Sequence, residues 1–275
     1  MVASGTPLSR GFANDFPRLN PEIIHVNRAG TSWQRNAGLA VLDPSCTLVG
    51  FFDDDVTLDP DAVEKMLSFW ETAPEDVGGA GFNFRNFLAR ETERKWSLGS
   101  VVRLYNTLML RGVGKGKLLP SGFPTPVFPA PSDLQTDWLE TLGLILRRDV
   151  VQEFQFDEFF AGYSYLEHVD YTYRVSRKYT LCVVSNAWVT HHSTPIKNSY
   201  LLGKMQVINR LHFVLKHREL SPPRCCFALV MNLFFNLVVG LILRDGGYLK
   251  RALGNVAGFT QAVLSGLAPV AGSVK

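Results

Sequence analysis

The stretch EIIHVNRAGTSWQRNAGLAVLDPSCTLVGFFDDDVTLDPDAVEKMLSFW, residues 22–70, decides the fold class. Its opening run, Glu22 to Val26, is short and apolar enough for a buried strand, and Gly30 supplies a turn. A helix is expected from Ser32 to Leu42, with the Ser32 hydroxyl as its N-cap. Thr47 to Phe52 reads as a second buried strand that ends in Asp53-Asp54-Asp55. Pro60 and Asp61 then open a helix whose apolar residues recur at helical spacing. Strand, helix, strand, helix in this rhythm predicts an α/β sheet with parallel strands.

Working outward, Gly78 to Phe84 is a further expected strand and Val101 to Leu110 a helix. The less regular stretch from Arg85 to Pro131, with the basic RGVGKGK at residues 111–117 and the Pro-rich run SGFPTPVFPAP at residues 121–131, reads as a mobile or acceptor-shaping insertion. RGVGKGK lacks the first Gly and the final Ser or Thr of a phosphate loop. Order resumes at Asp137 to Arg147, then a helix from Glu167 to Arg177 and a strand over Thr180 to Ser185, after which Ala187 to Thr190 leads into His191-His192. Asp137 and Trp138 fit either an acceptor cleft or the core. Toward the N-terminus, residues 1–21 are polar and rich in Gly, Pro and Ser, and read as a disordered lead-in.

The C-terminal region has a different character. CCFALVMNLFFNLVVGLIL, residues 225–243, carries no charge, and basic residues flank both ends. Asn232 and Asn236 share one helical face, which argues against a simple bilayer span. The segment reads first as a helix docked at a membrane interface, with a true span and a buried soluble helix as the alternatives. The chain therefore divides into a lead-in, a catalytic domain over residues 22–220 and an apolar, membrane-associated helical tail over residues 221–275.

Composition narrows the possible functions. The chain has 275 residues, 46% of them hydrophobic and 19% charged, which allows a packed core and excludes global disorder. A net charge of +3 is too small to indicate a nucleic-acid partner. The four cysteines, Cys46, Cys182, Cys225 and Cys226, match no zinc or disulfide spacing, which fits a reducing compartment.

Three carboxylates directly after an apolar strand repel one another, and a divalent cation relieves that repulsion. Asp53, Asp54 and Asp55 therefore read either as a site where Mg²⁺ or Mn²⁺ bridges a diphosphate, or as a solvated acidic turn. The same run also resembles the first motif of haloacid-dehalogenase-type phosphatases, with Asp53 as nucleophile; Asp157-Glu158 is then a poor match for the late acidic pair that such enzymes need.

Taken together, these segments resemble glycosyltransferase family 2. The first half carries Arg35, Asn36 and Gly38, then Asp53-x-Asp55, then Pro60-Asp61. The second half, RRDVVQEFQFDEFFAGYSYLEHVDYTYRV over residues 147–175, carries Asp157, Glu158, Glu167, Asp170 and Arg174 in the family's order. Val189 and His191-His192 resemble its late histidine motif. The resemblance spans roughly residues 23–220 and implies a GT-A fold, a mixed sheet flanked by helices. It also implies an inverting transfer from a nucleotide-sugar donor to a glycan or lipid-linked acceptor at the cytoplasmic face of the membrane. Under it, Asp53, Asp55, His191 and His192 are the expected metal ligands, and Arg35, Asn36, Asp53 and Asp54 the expected donor contacts. Glu167, His168 and Asp170 are the candidate catalytic residues. His168 stands where the family has its base, an Asp. On a helix, Glu167 and Asp170 are expected to share a face that His168 leaves. The resemblance further implies a nucleotide-cradling strand–helix–strand, which is expected to be missing before Glu22. A catalytically inactive membrane-docking remnant is the remaining alternative.

Overall fold

The computed structural model describes residues 2–4, 21–27, 30–86, 99–109, 114–192 and 196–272. A two-stranded parallel ribbon pairs β1 (Val2–Ser4) with β2 (Ile23–His25). The expected lead-in thus contains a strand, and residues 1 and 5–20 lie outside the described residues. Helix α1 (Thr31–Leu39) follows, capped by Gly30 at φ 148°, a value that disfavours any side chain. Ser32 is therefore not the cap: it is buried, and its hydroxyl donates to Phe160 O at 3.4 Å.

The main sheet has six strands: β3 (Leu48–Phe52), β4 (Val56–Leu58), β5 (Val77–Phe84), β6 (Leu134–Thr136), β7 (Gly143–Arg147) and β8 (Thr180–His191). The order is β3-β7-β5-β8-β4, with β6 also on β8. It is a mixed sheet with helices packed against it, as the fold class requires. The expectation of parallel pairing needs correction, since within this sheet, among the described residues, only β5 and β8 pair parallel, while β3–β7, β5–β7, β4–β8 and β6–β8 are antiparallel. Strands β3 and β5 do run the same way, yet β7 slots between them and hydrogen-bonds to both. Apolar periodicity reports burial and is blind to such insertions.

Strand β5 is buried along its whole length, as a central strand should be. Helix α2 (Ala62–Thr72) lays Ala62, Met66 and Trp70 on β8 and β5. Helix α3 is Gly99–Leu108, and α4 (Arg148–Glu153) continues from β7. Helix α5 (Glu167–Ser176) packs on β8, with Tyr171 and Val175 fully buried.

The run expected to be mobile is part of the core. Phe123, Val127, Phe128 and Ala130 are buried, and the Asn83 amide exchanges two hydrogen bonds with Ala130, at 2.8 and 3.0 Å. Trp138 is buried as well and donates its Nε1 to Thr125 O at 3.1 Å. Lys115 and Lys117 bond Pro129 O and Asp137, whose other oxygen accepts from Leu118 N. Backbone groups left by the prolines are thereby met from side chains, which a composition-based reading cannot foresee. Of RGVGKGK, residues 111–113 lie outside the described part.

The tail forms α6 (Ser199–Lys216), α7 (Pro222–Ile242) and α8 (Gly246–Leu264). Helices α6 and α8 cross at backbone contact distance, where a Cβ on Gly203 would stand 2.1 Å from Arg251 O and one on Gly254 2.0 Å from Tyr200 O. Buried amides lock the three helices together. Asn236 Nδ2 donates to Asn255 Oδ1 at 3.0 Å, and Asn255 Nδ2 donates to Gly203 O at 2.8 Å. Helix α7 is long and apolar enough to cross a membrane by length and composition, yet only 33% of its most apolar window is buried.

Candidate active site

Two strand pairings assemble the site. Antiparallel β4–β8 pairing sets Val56 opposite His191. Asp55 therefore lies beside the end of β8, with Oδ2 3.3 Å from His191 Nε2. The His192 backbone N–H donates to Asp55 O at 2.7 Å, while its ring turns to Thr57 Oγ1 at 2.9 Å. His191 is held at its backbone by the Asn86 amide through bonds of 2.8 and 3.1 Å.

The second pairing, β3 with β7, sets Phe52 opposite Gly143. The residues just before Gly143 accordingly lie beside Asp53. Arg35 projects from α1 into this corner. Its NH2 donates to Asp53 Oδ1 at 2.9 Å and its NH1 to Glu167 Oε1. The guanidinium also lies over the Phe156 ring at 5.3 Å, and Phe156 stacks on Tyr171 at 3.9 Å. Burial opposes the Arg35 charge, and the carboxylates of Glu167 and Asp53 more than offset it, so its pKa rises.

Glu167 opens α5 directly after Leu166, a non-glycine residue at φ 81°. Such a left-handed residue is costly and tends to mark functional positions. The Thr141 hydroxyl donates to Glu167 Oε1 at 3.2 Å, whereas the buried Oε2 has no hydrogen-bond partner among the described residues. Burial raises the Glu167 pKa, with Arg35 opposing. Glu140 lies beside it. Its carboxyl is pushed up to about 8 by burial, then by the charges of Glu167 and Asp53, with Arg35 opposing. His168 Nε2 sits 3.4 Å from Glu140 Oε2. Burial presses the His168 imidazole down to about 3, and Arg35 and Arg210 push the same way.

One corner of the fold thus gathers a basic fork, carboxylates at a sheet rim and an Asp–His pair, an arrangement suited to an anionic ligand that carries a cation. Residues 4–121 match the family model described as Glycosyl transferase family 2. That part of the chain is similar to family 2 glycosyltransferases. No curated protein was found to match the chain. The matched part begins well before Glu22 and contains Arg35, Asn36 and the acidic triplet. Glu140, Glu167, His168 and His191 come to the same corner from beyond it.

Several expected site residues stand elsewhere. Asp170 is fully buried and accepts from Arg174 at 3.0 Å, Lys216 at 3.0 Å and His217 at 3.1 Å. Burial would raise its pKa, but His217, Arg174 and Lys216 prevail and hold it low. A carboxylate so enclosed is a structural node between α5 and α6, not an accessible base. Glu167 and Asp170 accordingly meet different partners, and it is His168 that turns toward Glu140 beside Glu167. Asn36 spends its amide on Phe156 and Glu158, accepting from Phe156 N at 2.8 Å and donating to Glu158 Oε1 at 3.1 Å. It ties α1 to the loop before α5. Asp157 is bound by His212 at 2.9 Å and Lys216 at 2.7 Å, so Asp157-Glu158 offers no late acidic pair for phosphatase chemistry. Asp54 is exposed at the turn.

Sequence reading missed Glu140 and Arg210. Arg210 is buried on α6, donates to Gly122 O and Tyr165 OH, and lies 3.9 Å over the Phe123 ring. The sequence signal for Glu140 was an acidic residue at the entry of the strand that pairs with β3.

Proposed function

We propose that the chain transfers a sugar from a nucleotide-sugar donor to a hydroxyl of a glycan or lipid-linked acceptor, inverting the anomeric carbon in one displacement. The observation that carries this reading is Arg35 bridging Asp53 and Glu167 beside the Asp55–His191 pair. Arg35 offers a fork of donors for phosphate oxygens. Asp53, one-third exposed, is free enough to meet a ribose hydroxyl.

No group of three or more His, Cys, Asp or Glu side chains suited to a metal ion exists among the described residues. Asp55 and His191 still fit a cation that arrives with a diphosphate, because Mg²⁺ commonly takes only one or two carboxylates and completes its shell with phosphate and water. When bound there, Mg²⁺ or Mn²⁺ supplies charge neutralisation to the departing nucleoside diphosphate. Asp55 and His191 hold that end of the donor, while Arg35 orients it and Glu167 keeps Arg35 in place.

The acceptor side of the reading rests on the tail. Phe227, Phe234, Leu237, Leu241 and Ile242 form an exposed stripe along α7, and Leu253, Val256 and Leu264 are exposed on α8. Arg218, Arg224, Arg244 and Lys250 are exposed around these helices. Apolar residues beside basic ones suit the interface of an anionic lipid surface, and four unpaired cysteines fit the cytoplasmic side. Binding of UDP and TDP with MnCl₂, followed by calorimetry, tests the reading. Cation-dependent binding of at least one is expected; a folded chain that binds neither contradicts it and favours a non-catalytic, membrane-docking role.

A further inference from the structure

The site holds one buried acid for which the transfer described above has no use. Glu140 precedes β7 and is presented by a loop that is itself clamped. Leu139 N donates to Thr172 Oγ1 at 3.0 Å, and Thr172 Oγ1 donates to His168 O at 2.6 Å. One threonine thereby fixes the backbones on both sides of the Glu140–His168 contact. The side chains are 11% and 25% exposed, so the imidazole is the member of the pair that reaches solvent. The Trp138 ring lies 6.1 Å from the His168 ring and backs it from the core.

We propose that His168 and Glu140 form the base of the reaction, with His168 meeting the acceptor hydroxyl and Glu140 acting through it as a positioning residue. This rests on the transferase reading. The acceptor oxygen forms its bond to the anomeric carbon as the bond from that carbon to the phosphate oxygen breaks. The electron pair leaves with the nucleoside diphosphate, and the hydroxyl proton ends on the Glu140–His168 pair. A carboxylate beside an imidazole orients the ring and stabilises its charged form. The neighbourhood explains why a pair serves where one imidazole would not. Arg35 from α1 and Arg210 from α6 both disfavour an isolated imidazolium, and burial does so more. An ionised Glu140 supplies the missing negative charge. Glu167 from α5 and Asp53 from the end of β3 face the same pair and keep the Glu140 proton on up to about pH 8. The competent form, ionised Glu140 with neutral His168, therefore accumulates as pH rises through about 8. A lone ordinary carboxylate base, ionised above about pH 4, would leave the rate flat from 6 to 9.

The test follows hydrolysis of UDP-glucose and TDP-glucose by the full chain with MnCl₂ from pH 6 to 9.5, water standing in for the acceptor. In parallel, NMR follows the His168 ring, and calorimetry follows UDP binding. The wild-type rate is expected to climb to a plateau with its midpoint near pH 8. E140Q is expected to lose that rise and about a hundredfold of the plateau rate, while E140D recovers part of it and H168N matches E140Q. The His168 ring is expected to show an inflection near pH 8 that E140Q removes, with UDP binding kept. E140Q retaining the wild-type rate and profile overturns the pair, as does a ring titration that E140Q leaves unchanged. A wild-type chain that binds neither nucleotide refutes the transferase reading itself and takes this proposal with it.

Discussion

Asp55 Oδ2 lies 3.3 Å from His191 Nε2 because β4, only three residues long, runs antiparallel to the end of β8. The acidic triplet is thus split by the backbone. Asp53 directly follows β3 and faces Arg35, Asp54 turns to solvent, and Asp55 leads into β4. Asp53 is met by an arginine, Asp54 is exposed, and Asp55 lies beside a histidine.

Arg35→Ala is expected to destabilise the chain by about 3–5 kcal/mol, since it strands the buried Glu167 carboxylate. Arg35→Lys is expected to recover only part of this, because a point charge cannot reach both Glu167 and Asp53 as the fork does. Urea denaturation at pH 7 measures both; a loss under 1 kcal/mol for Arg35→Ala would show that the bridge contributes little.

Asp170→Asn is expected to cost about 2–4 kcal/mol at pH 7, by leaving Arg174, Lys216 and His217 without their shared anion. The folded-state pKa of Asp170 lies below its ordinary value of 3.8. Its contribution is therefore present above that value and lost as pH falls through the folded one. Wild type should lose stability on acidification, and Asp170→Asn should lose less. Denaturation curves at pH 7 and pH 3 decide it, and parallel losses in the two proteins would remove Asp170 from the explanation.

The buried amides of the tail should display the asymmetry of a hydrogen bond with one partner removed. Asn255→Leu is expected to cost about 2–3 kcal/mol, because the Asn236 amide and Gly203 O lose their partner inside the helix packing. Asn236→Leu combined with Asn255→Leu is expected to be less destabilising than the sum of the single changes. Thermal melts of the three variants test this, and strict additivity would count against coupling.

Phe234→Glu with Leu241→Glu places two charges on the exposed stripe of α7 and leaves its buried face alone. Cosedimentation with phosphatidylglycerol–phosphatidylcholine vesicles is expected to fall about tenfold in this variant. Unchanged binding, or no binding by wild type, would rule out the membrane-docked reading.

Much of the fold was legible in the sequence because burial leaves a periodic trace. Leu48–Phe52, Ala62–Thr72 and Glu167–Ser176 fall close to where apolar spacing put them. Strand direction was not legible, since β7 enters between β3 and β5 from far along the chain and its apolar run Leu144–Leu146 looks the same either way. The Pro-rich segment misled because its hydrogen bonds come from Asn83 and Trp138, remote in sequence. Arg35, Asp53, Asp55, Glu167 and His191, named from motif order, come together in one corner of the fold. Asp170 looked equivalent by motif, yet its three cationic partners arrive from its own helix and from α6. Glu140 belonged to no motif and became visible only through the β3–β7 register.

Affinity for UDP, measured by calorimetry with and without MnCl₂ in wild type and Asp55→Asn, bears most directly on the transferase site. Wild type is expected to bind at least about tenfold more tightly with Mn²⁺, and Asp55→Asn is expected to lose that gain while unfolding at nearly the wild-type temperature. Equal Mn²⁺ dependence in the two proteins would contradict a cation held between Asp55, His191 and the diphosphate.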